Sequence, residues 1–169
     1  MLAIAALTLL SSLWTTGAQA SAAPAPPRLE FVFEETVTLA SDVPFGTTPW
    51  GKRNIVPITG GTFQGPALHG RIVPGGWDWQ LTTPGGCFAL KADYMIQEDD
   101  GTMIHVLNQG TVCQNERGTH DALFTTPVFE APRGKHDWLN GGAYVGTLEL
   151  TKVDGKPAVH IRYYRAIQP

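Results

Sequence analysis

Two short turn signals constrain this chain more than any other feature. Asp154-Gly155 lies between runs of alternating apolar residues, and such a pair closes a β-hairpin of defined register. Partner numbers then sum to 309. Leu148, Leu150, Val159, Ile161 and Tyr163 share one face, while Glu149 opposes His160 and Thr147 opposes Arg162 on the other. Upstream, Asp99-Asp100-Gly101 fits a three-residue loop whose glycine takes the left-handed region, and its partners sum to 200. Phe88, Leu90, Ala92, Tyr94 and Ile96 then face the same way as Ile104, Val106 and Val112. Lys91, Asp93 and Gln97 share the opposite side with His105, Gln109 and Thr111. An apolar face backed by a mixed one is what a one-sided antiparallel ladder requires.

The remaining breakers carry this reading along the chain. The 19 glycines and 13 prolines are spread throughout, and no useful helix-period stretch occurs beyond the N-terminal segment. The first strand runs from Leu29 through Val37 and Leu39, with apolar residues at odd positions. Residues 42–54 are expected to form a long loop carrying Phe45 and Trp50. Strands are expected around 54–58, 61–63, 68–73 and 77–82, with Pro74-Gly75-Gly76 as a turn, and the 87–113 hairpin follows. A polar loop over 114–123, a strand over 123–129 and a second loop over 131–142 precede the last hairpin. The fold class is all-β. Roughly nine one-sided strands without helices to cover them predict a single antiparallel β-barrel with a central cavity, because closure removes exposed edges. A barrel of this size can hold one small ligand.

Compartment follows from the first residues and the two cysteines. Leu2 to Leu13 is an apolar run that ends in Ala18-Gln19-Ala20, so residues 1–20 read as a signal peptide cleaved after Ala20. The run is too short to span roughly 30 Å of hydrocarbon. Residues 21–27, rich in Ala and Pro, form an expected disordered lead-in, leaving 28–169 as the barrel domain. The expected location is the secretory pathway. In that setting Cys87 and Cys113 fall opposite each other in the hairpin register and are expected to form a disulfide, two free buried thiols being the alternative. A net charge of −3, from 12 basic and 15 acidic residues, excludes the basic footprint of a nucleic-acid binder and a polybasic membrane anchor. No C-x-x-C or H-E-x-x-H occurs, so no metal site is expected; Cys113 and His120 are only two candidate ligands.

Several side chains have chemistry to offer. Asp78 and Trp79 follow the Pro-Gly-Gly segment at an expected strand start near the rim, as a proton-transfer group and a stacking wall, or as a turn carboxylate and a core tryptophan. Asp93 and His105 share the odd face of the cysteine hairpin. They form a polar constellation if that face lines the lumen, and are surface residues if it does not. Trp50, Trp79 and Trp138 offer aromatic surface for a flat ligand, or anchor loops to the core. Glu130 and His136 are rim acid–base candidates or a solvated pair.

The order of motifs resembles a known family. Ile58-Thr59-Gly60-Gly61-Thr62-Phe63 is followed by Gly65-Pro66, Leu68, Gly70, Pro74-Gly75-Gly76 and Asp78-Trp79. Ala92 and Tyr94, Asp100-Gly101, Asn108 and Gly110, Thr126-Pro127, Phe129-Glu130 and Trp138-Leu139-Asn140 complete the series. Over roughly residues 29–166 this is similar to domain of unknown function family 3237. The resemblance implies a small antiparallel barrel with a central cavity. In some fungal relatives it implies cofactor-free cyclisation, including hetero-Diels–Alder chemistry on quinone methides. Two departures bear on the ligand: Asp93 and Thr125 stand where the family pattern has arginine, so a strongly anionic ligand is not expected.

The expected function is that of a cofactor-free small-molecule cyclase or isomerase acting on an aromatic or polyketide-type intermediate. The alternative is a lipocalin-like binding protein. Catalysis is assigned to Asp78, Asp93 and His105, and substrate contact to Trp50, Trp79, Tyr94, Asn108 and Trp138. The expected partner is a small apolar or aromatic metabolite, with a homodimer left open.

Overall fold

The computed structural model describes residues 23–115 and 122–169. The expected signal peptide and the central part of the 114–123 loop, including His120, lie outside the described residues. Nine strands follow in order: β1 Arg28–Leu39, β2 Val43–Thr48, β3 Gly51–Gln64, β4 His69–Thr82, β5 Cys87–Glu98, β6 Met103–Cys113, β7 Phe124–Glu130, β8 Tyr144–Val153 and β9 Lys156–Ile167. A 3-10 turn, Asp137–Asn140, interrupts the loop before β8. Every strand pairing is antiparallel. Neighbours in sequence pair from β2 to β9, and β1 pairs with both β9 and β3. The last contact closes an eight-stranded barrel, leaving β2 as an extra strand along the first half of β3.

Both turn signals set the observed pairing. Cys87 to Gln97 pair with Cys113 to Met103 without slippage, and Tyr144 to Val153 pair with Arg165 to Lys156. The Glu98 amide donates to Thr102 and the Gly101 amide to Glu98, with Gly101 at φ 90°. Asp154 and Gly155 both have positive φ, as a type I′ turn demands. Cys87 and Cys113 are joined by a disulfide.

Elsewhere glycine and proline mark bulges rather than ends. Pro74-Gly75-Gly76 is no turn: it bulges inside the continuous β4, whose pairing with β5 shifts between Val73 and Trp77. Gly76 permits this because a Cβ there would lie 2.4 Å from Tyr94 Cβ. Asp78 is therefore a mid-strand residue, not one at a strand start. The segments expected at 54–58 and 61–63 are likewise one strand, β3, with a shift between Pro57 and Gly61. Within the expected loop over 42–54, β2 and the start of β3 form a hairpin instead. Its bulge lies between Pro44 and Gly46, and an edge strand tolerates the proline. In β1 a shift between Phe31 and Phe33 reverses parity, so Phe31 is exposed while Val32 and Phe33 are buried.

The two ends of the barrel differ. At one end the rings of Phe33, Phe63, Phe129, Tyr144 and Tyr163 interlock, with linked centroids 4.8–5.7 Å apart. Each such pair contributes about 0.5–1.5 kcal/mol beyond its burial. Leu68 and Leu139 complete the plug. Asn140 clamps the overlying loop, accepting from the Ala131 amide at 2.7 Å and donating to its carbonyl at 2.9 Å. Towards the disulfide end, inward positions carry Ala92, Asn108 and aliphatic side chains, too little volume to fill the interior. Leu150 shares the inward face of β8 but projects past the barrel wall and is 86% exposed.

Candidate functional site

The unfilled half holds a cavity lined mainly by Val37, Ile58, Leu90, Leu148, Val159 and Ile161, with Asp78, Gln80, Tyr94 and Asn108 as its polar members. It gives about 80 Å³ to the centres of water-sized molecules, and about 550 Å³ of unfilled space once its mouth is included. Parity of β5 decides the wall: even positions turn inward and odd ones outward.

Register places the polar members. Asp78 pairs with Ala92, Ala92 with Asn108, and all three face inward in one row. Two strand spacings, about 10 Å of backbone, separate Asp78 from Asn108, with only a methyl between them. Asn54 donates to Gln80 at 3.2 Å, and Gln80 donates to Asp78 Oδ2 at 2.8 Å. This chain fixes the carboxylate and leaves Asp78 Oδ1 without a partner. Burial raises the Asp78 pKa against the hydrogen bonds from Gln80 and the Lys91 backbone. Asn108 is fully buried, and neither of its amide atoms has a hydrogen-bond partner; Thr125 Oγ1 is also buried and unpartnered. Buried polar groups without partners are costly, so Asp78 and Asn108 in the lining of an apolar cavity are suited to a ligand.

One inward step deeper than Ala92, Tyr94 forms part of the floor. Its hydroxyl hydrogen-bonds Glu35 Oε1, which also accepts from Tyr163 Oη at 2.9 Å. The two phenol oxygens lie 3.0 Å apart. Glu35 Oε2 has no partner. Burial pushes the Glu35 carboxyl up to about 7, against the two phenol hydrogen bonds, and raises both phenols well above 10.0.

The residues singled out in the sequence thus separate into three places. Asp78, Tyr94 and Asn108 meet in the cavity. Trp50, Trp79 and Asp93 line a groove on the outer wall with Phe45, Arg53 and Lys91, and Asp93 Oδ1 bonds His105 Nε2 at 2.8 Å on that side. The odd face of the hairpin therefore looks outward, so Asp93 and His105 are not part of the lumen. Trp138 lies on the 3-10 turn and packs against the plug. Of the two departures noted above, Thr125 faces the interior and Asp93 does not. Glu130 is exposed and His136 buried; His136 instead meets Asp100 at 3.1 Å. Glu98, Asp100 and His136 bring their donor atoms within 4.8 Å, and the Lys135 ammonium lies 3.5 Å from Glu98 and 3.2 Å from Asp100, so one cationic side chain already sits between these two carboxylates.

Glu35 is signalled by the sequence pattern but absent from the expected site. It is the one carboxylate among Phe33, Val37 and Leu39 on the inward face of β1, a break in the alternation that marks a buried charge. Gln80 carried no comparable signal, and Thr125 was marked only by its departure from the family pattern.

An eight-stranded antiparallel barrel, plugged at one end and hollow at the other, with acidic and amide groups set in an apolar lumen, defines the class of closed β-barrels with an internal cavity. The chain belongs to the family described as Protein of unknown function (DUF3237), which matches residues 27–166. A UPF0311 protein of Clostridium acetobutylicum is 31% identical over 129 residues, covering 69% of this chain and 82% of that one. The hydroalkoxylation enzyme phnH of Penicillium herquei is 27% identical over 126 residues, 73% of this chain and 76% of that one. Among solved structures, a β-barrel-like protein from Acinetobacter baumannii matches with a TM-score of 0.75 at 30% identity, over 87% of this chain and all of the other. An enzyme from Penicillium herquei shares the fold, with a TM-score of 0.67 at 22% identity, over 88% of this chain and all of the other.

Proposed function

We propose that this barrel catalyses a redox-neutral cyclisation of a small aromatic or polyketide-type metabolite, by adding a hydroxyl across a conjugated C=C bond. The observation that carries this reading is the inward row Asp78–Ala92–Asn108, with unpartnered polar atoms at both ends and space above the alanine. Asp78 Oδ1 takes the hydroxyl proton as general base, and its raised pKa brings it closer to neutral pH, where a base is effective. The Asn108 amide, donor and acceptor at once, holds the reacting oxygen. The C–O bond forms, the alkene electron pair moves onto the conjugated carbonyl oxygen as an enolate, and a proton returns to the adjacent carbon. No electrons leave the substrate, so the step calls for no redox cofactor. Apolar walls orient the chain for attack, a contribution of several kcal/mol in well-aligned intramolecular reactions, ~7 or more at best.

The relative named a hydroalkoxylation enzyme supports this choice. Pericyclic closure of a quinone methide would need only the apolar walls; the polar row favours polar addition. The disulfide supports export to an oxidising compartment.

The test is conversion of ortho-hydroxychalcone and a panel of related aromatic hydroxy-enones to cyclic ethers, followed by chiral chromatography. One enantiomer in excess is expected, with Asp78→Asn slowing the enzymatic part by about a hundredfold or more. Racemic product at the buffer rate, with saturable binding retained, overturns cyclisation in favour of carriage.

A further inference from the structure

The cavity floor contains a second device, built from Glu35, Tyr94 and Tyr163. The contact between Tyr94 and Glu35 can run in either direction. With Glu35 ionised, both phenols donate to Oε1, and the cavity receives no donor from its floor. With Glu35 protonated, Oε2 offers its proton no partner, so the proton is hydrogen-bonded only along Oε1, towards a phenol oxygen. Tyr94, now accepting, has its own O–H released for Tyr163 Oη, 3.0 Å away, or for a carbonyl oxygen brought into the cavity whose lining includes Tyr94.

We propose that Tyr94 is the donor that receives a ligand's carbonyl oxygen, and that Glu35 is a positioning residue whose protonation switches this donor on. The ligand class is a neutral, flat, carbonyl-bearing molecule. This deepens the cyclisation reading, on which the choice of ligand rests: the oxygen bound at Tyr94 is the one that becomes the enolate, one inward step below the Asp78–Asn108 row.

The groups around Glu35 permit such a switch. Tyr94 reaches it from β5 and Tyr163 from β9, while Asp78 on β4 is the other carboxylate of the same interior. From β3 it is met by Phe63 in register, and Tyr144 of β8 belongs to the ring plug beyond. Glu34, Arg162 and His160 form their ion pairs on the outer side of β1 and β9. No cation appears among the buried described residues facing Glu35, so only the two phenol hydrogen bonds favour its ionised form, and burial outweighs them to place the carboxyl at about 7.

Binding of indanone, with indane as its carbonyl-free counterpart, tests this by calorimetry at about pH 5 and about pH 9, either side of the Glu35 transition. Indanone is expected to bind about tenfold more tightly at the lower pH, the loss of one hydrogen bond, and indane equally at both. Tyr94→Phe should lower indanone affinity and remove the pH dependence. Glu35→Gln should retain the affinity and remove the pH dependence, because its amide donates to Tyr94 at every pH. In the free protein, isotope-labelled tyrosine Cζ signals of Tyr94 and Tyr163 should shift together through the same transition and stay constant in Glu35→Gln. Equal indanone binding at both pH values, no binding at the lower pH, or tyrosine signals indifferent to Glu35→Gln overturns the proposal. Racemic cyclisation product beside intact pH-gated binding discards the reaction and keeps the donor. Enantioselective product with pH-independent binding does the reverse.

Discussion

Tyr163 Oη lies 2.9 Å from Glu35 Oε1, joining residues 128 positions apart across the floor of the barrel. They meet only because β1 pairs with β9, with Phe33 opposite Tyr163 and Glu35 opposite Ile161. The contact stands between the aromatic plug and the hollow half, and it puts a carboxyl where water does not reach.

That burial makes stability depend on pH with a definite sign. The Glu35 carboxyl titrates at about 7 in the folded chain against an ordinary 4.5. Its contribution is fully present below the lower value and is lost as pH rises through the upper one. The limit is about 3 kcal/mol. Glu35→Gln should therefore flatten the pH dependence of the urea midpoint between about pH 5 and 8 relative to the parent. Parallel curves for parent and variant would show that Glu35 is not buried as described.

Ala92 keeps open the gap between Asp78 and Asn108. Ala92→Leu fills it with a branched side chain facing the cavity. Ligand affinity should fall by more than about tenfold. Stability should change by less than about 1.5 kcal/mol, because the new methyls enter empty space rather than a packed core. Calorimetry with the same ketone and a thermal scan measure both; unchanged affinity would place the ligand elsewhere.

The Cys87–Cys113 bridge spans 26 residues at the open end of the barrel. Replacing both cysteines with serine should cost about 3 kcal/mol through the unfolded chain's regained freedom. The hairpin register is set independently by its turn, so the fold should persist. A denaturation midpoint that does not move under reductant would contradict this.

Gly61 seals the barrel where β1 meets β3. It has φ +135°, and a Cβ there would lie 2.0 Å from the Thr36 carbonyl oxygen. Gly61→Ala should destabilise by about 2–3 kcal/mol, with hydrogen exchange rising first along β1 and β3. Uniform protection, unchanged from the parent, would show that the seam tolerates the methyl.

The paired turns were legible because their chemistry is local: Asp100-Gly101 and Asp154-Gly155 define which neighbours pair, and pairing defines which side chains share a face. Pro74-Gly75-Gly76 was misread because the same residues serve a turn or a bulge, and only a neighbouring strand continuing past them tells which. The site was half legible. Asp78, Tyr94 and Asn108 were named, yet Asp93 and His105, on the opposite face of the same hairpin, could not be separated from them by alternation.

By itself the sequence determined strand class, the two hairpin registers and the cysteine partners, all consequences of interactions among near neighbours in the chain. Tertiary structure alone decided which face is the lumen, which end is filled, and that Glu35 meets Tyr94 and Tyr163. Those outcomes depend on β1 closing against β9 and β3, a long-range event whose curvature turns one face inward.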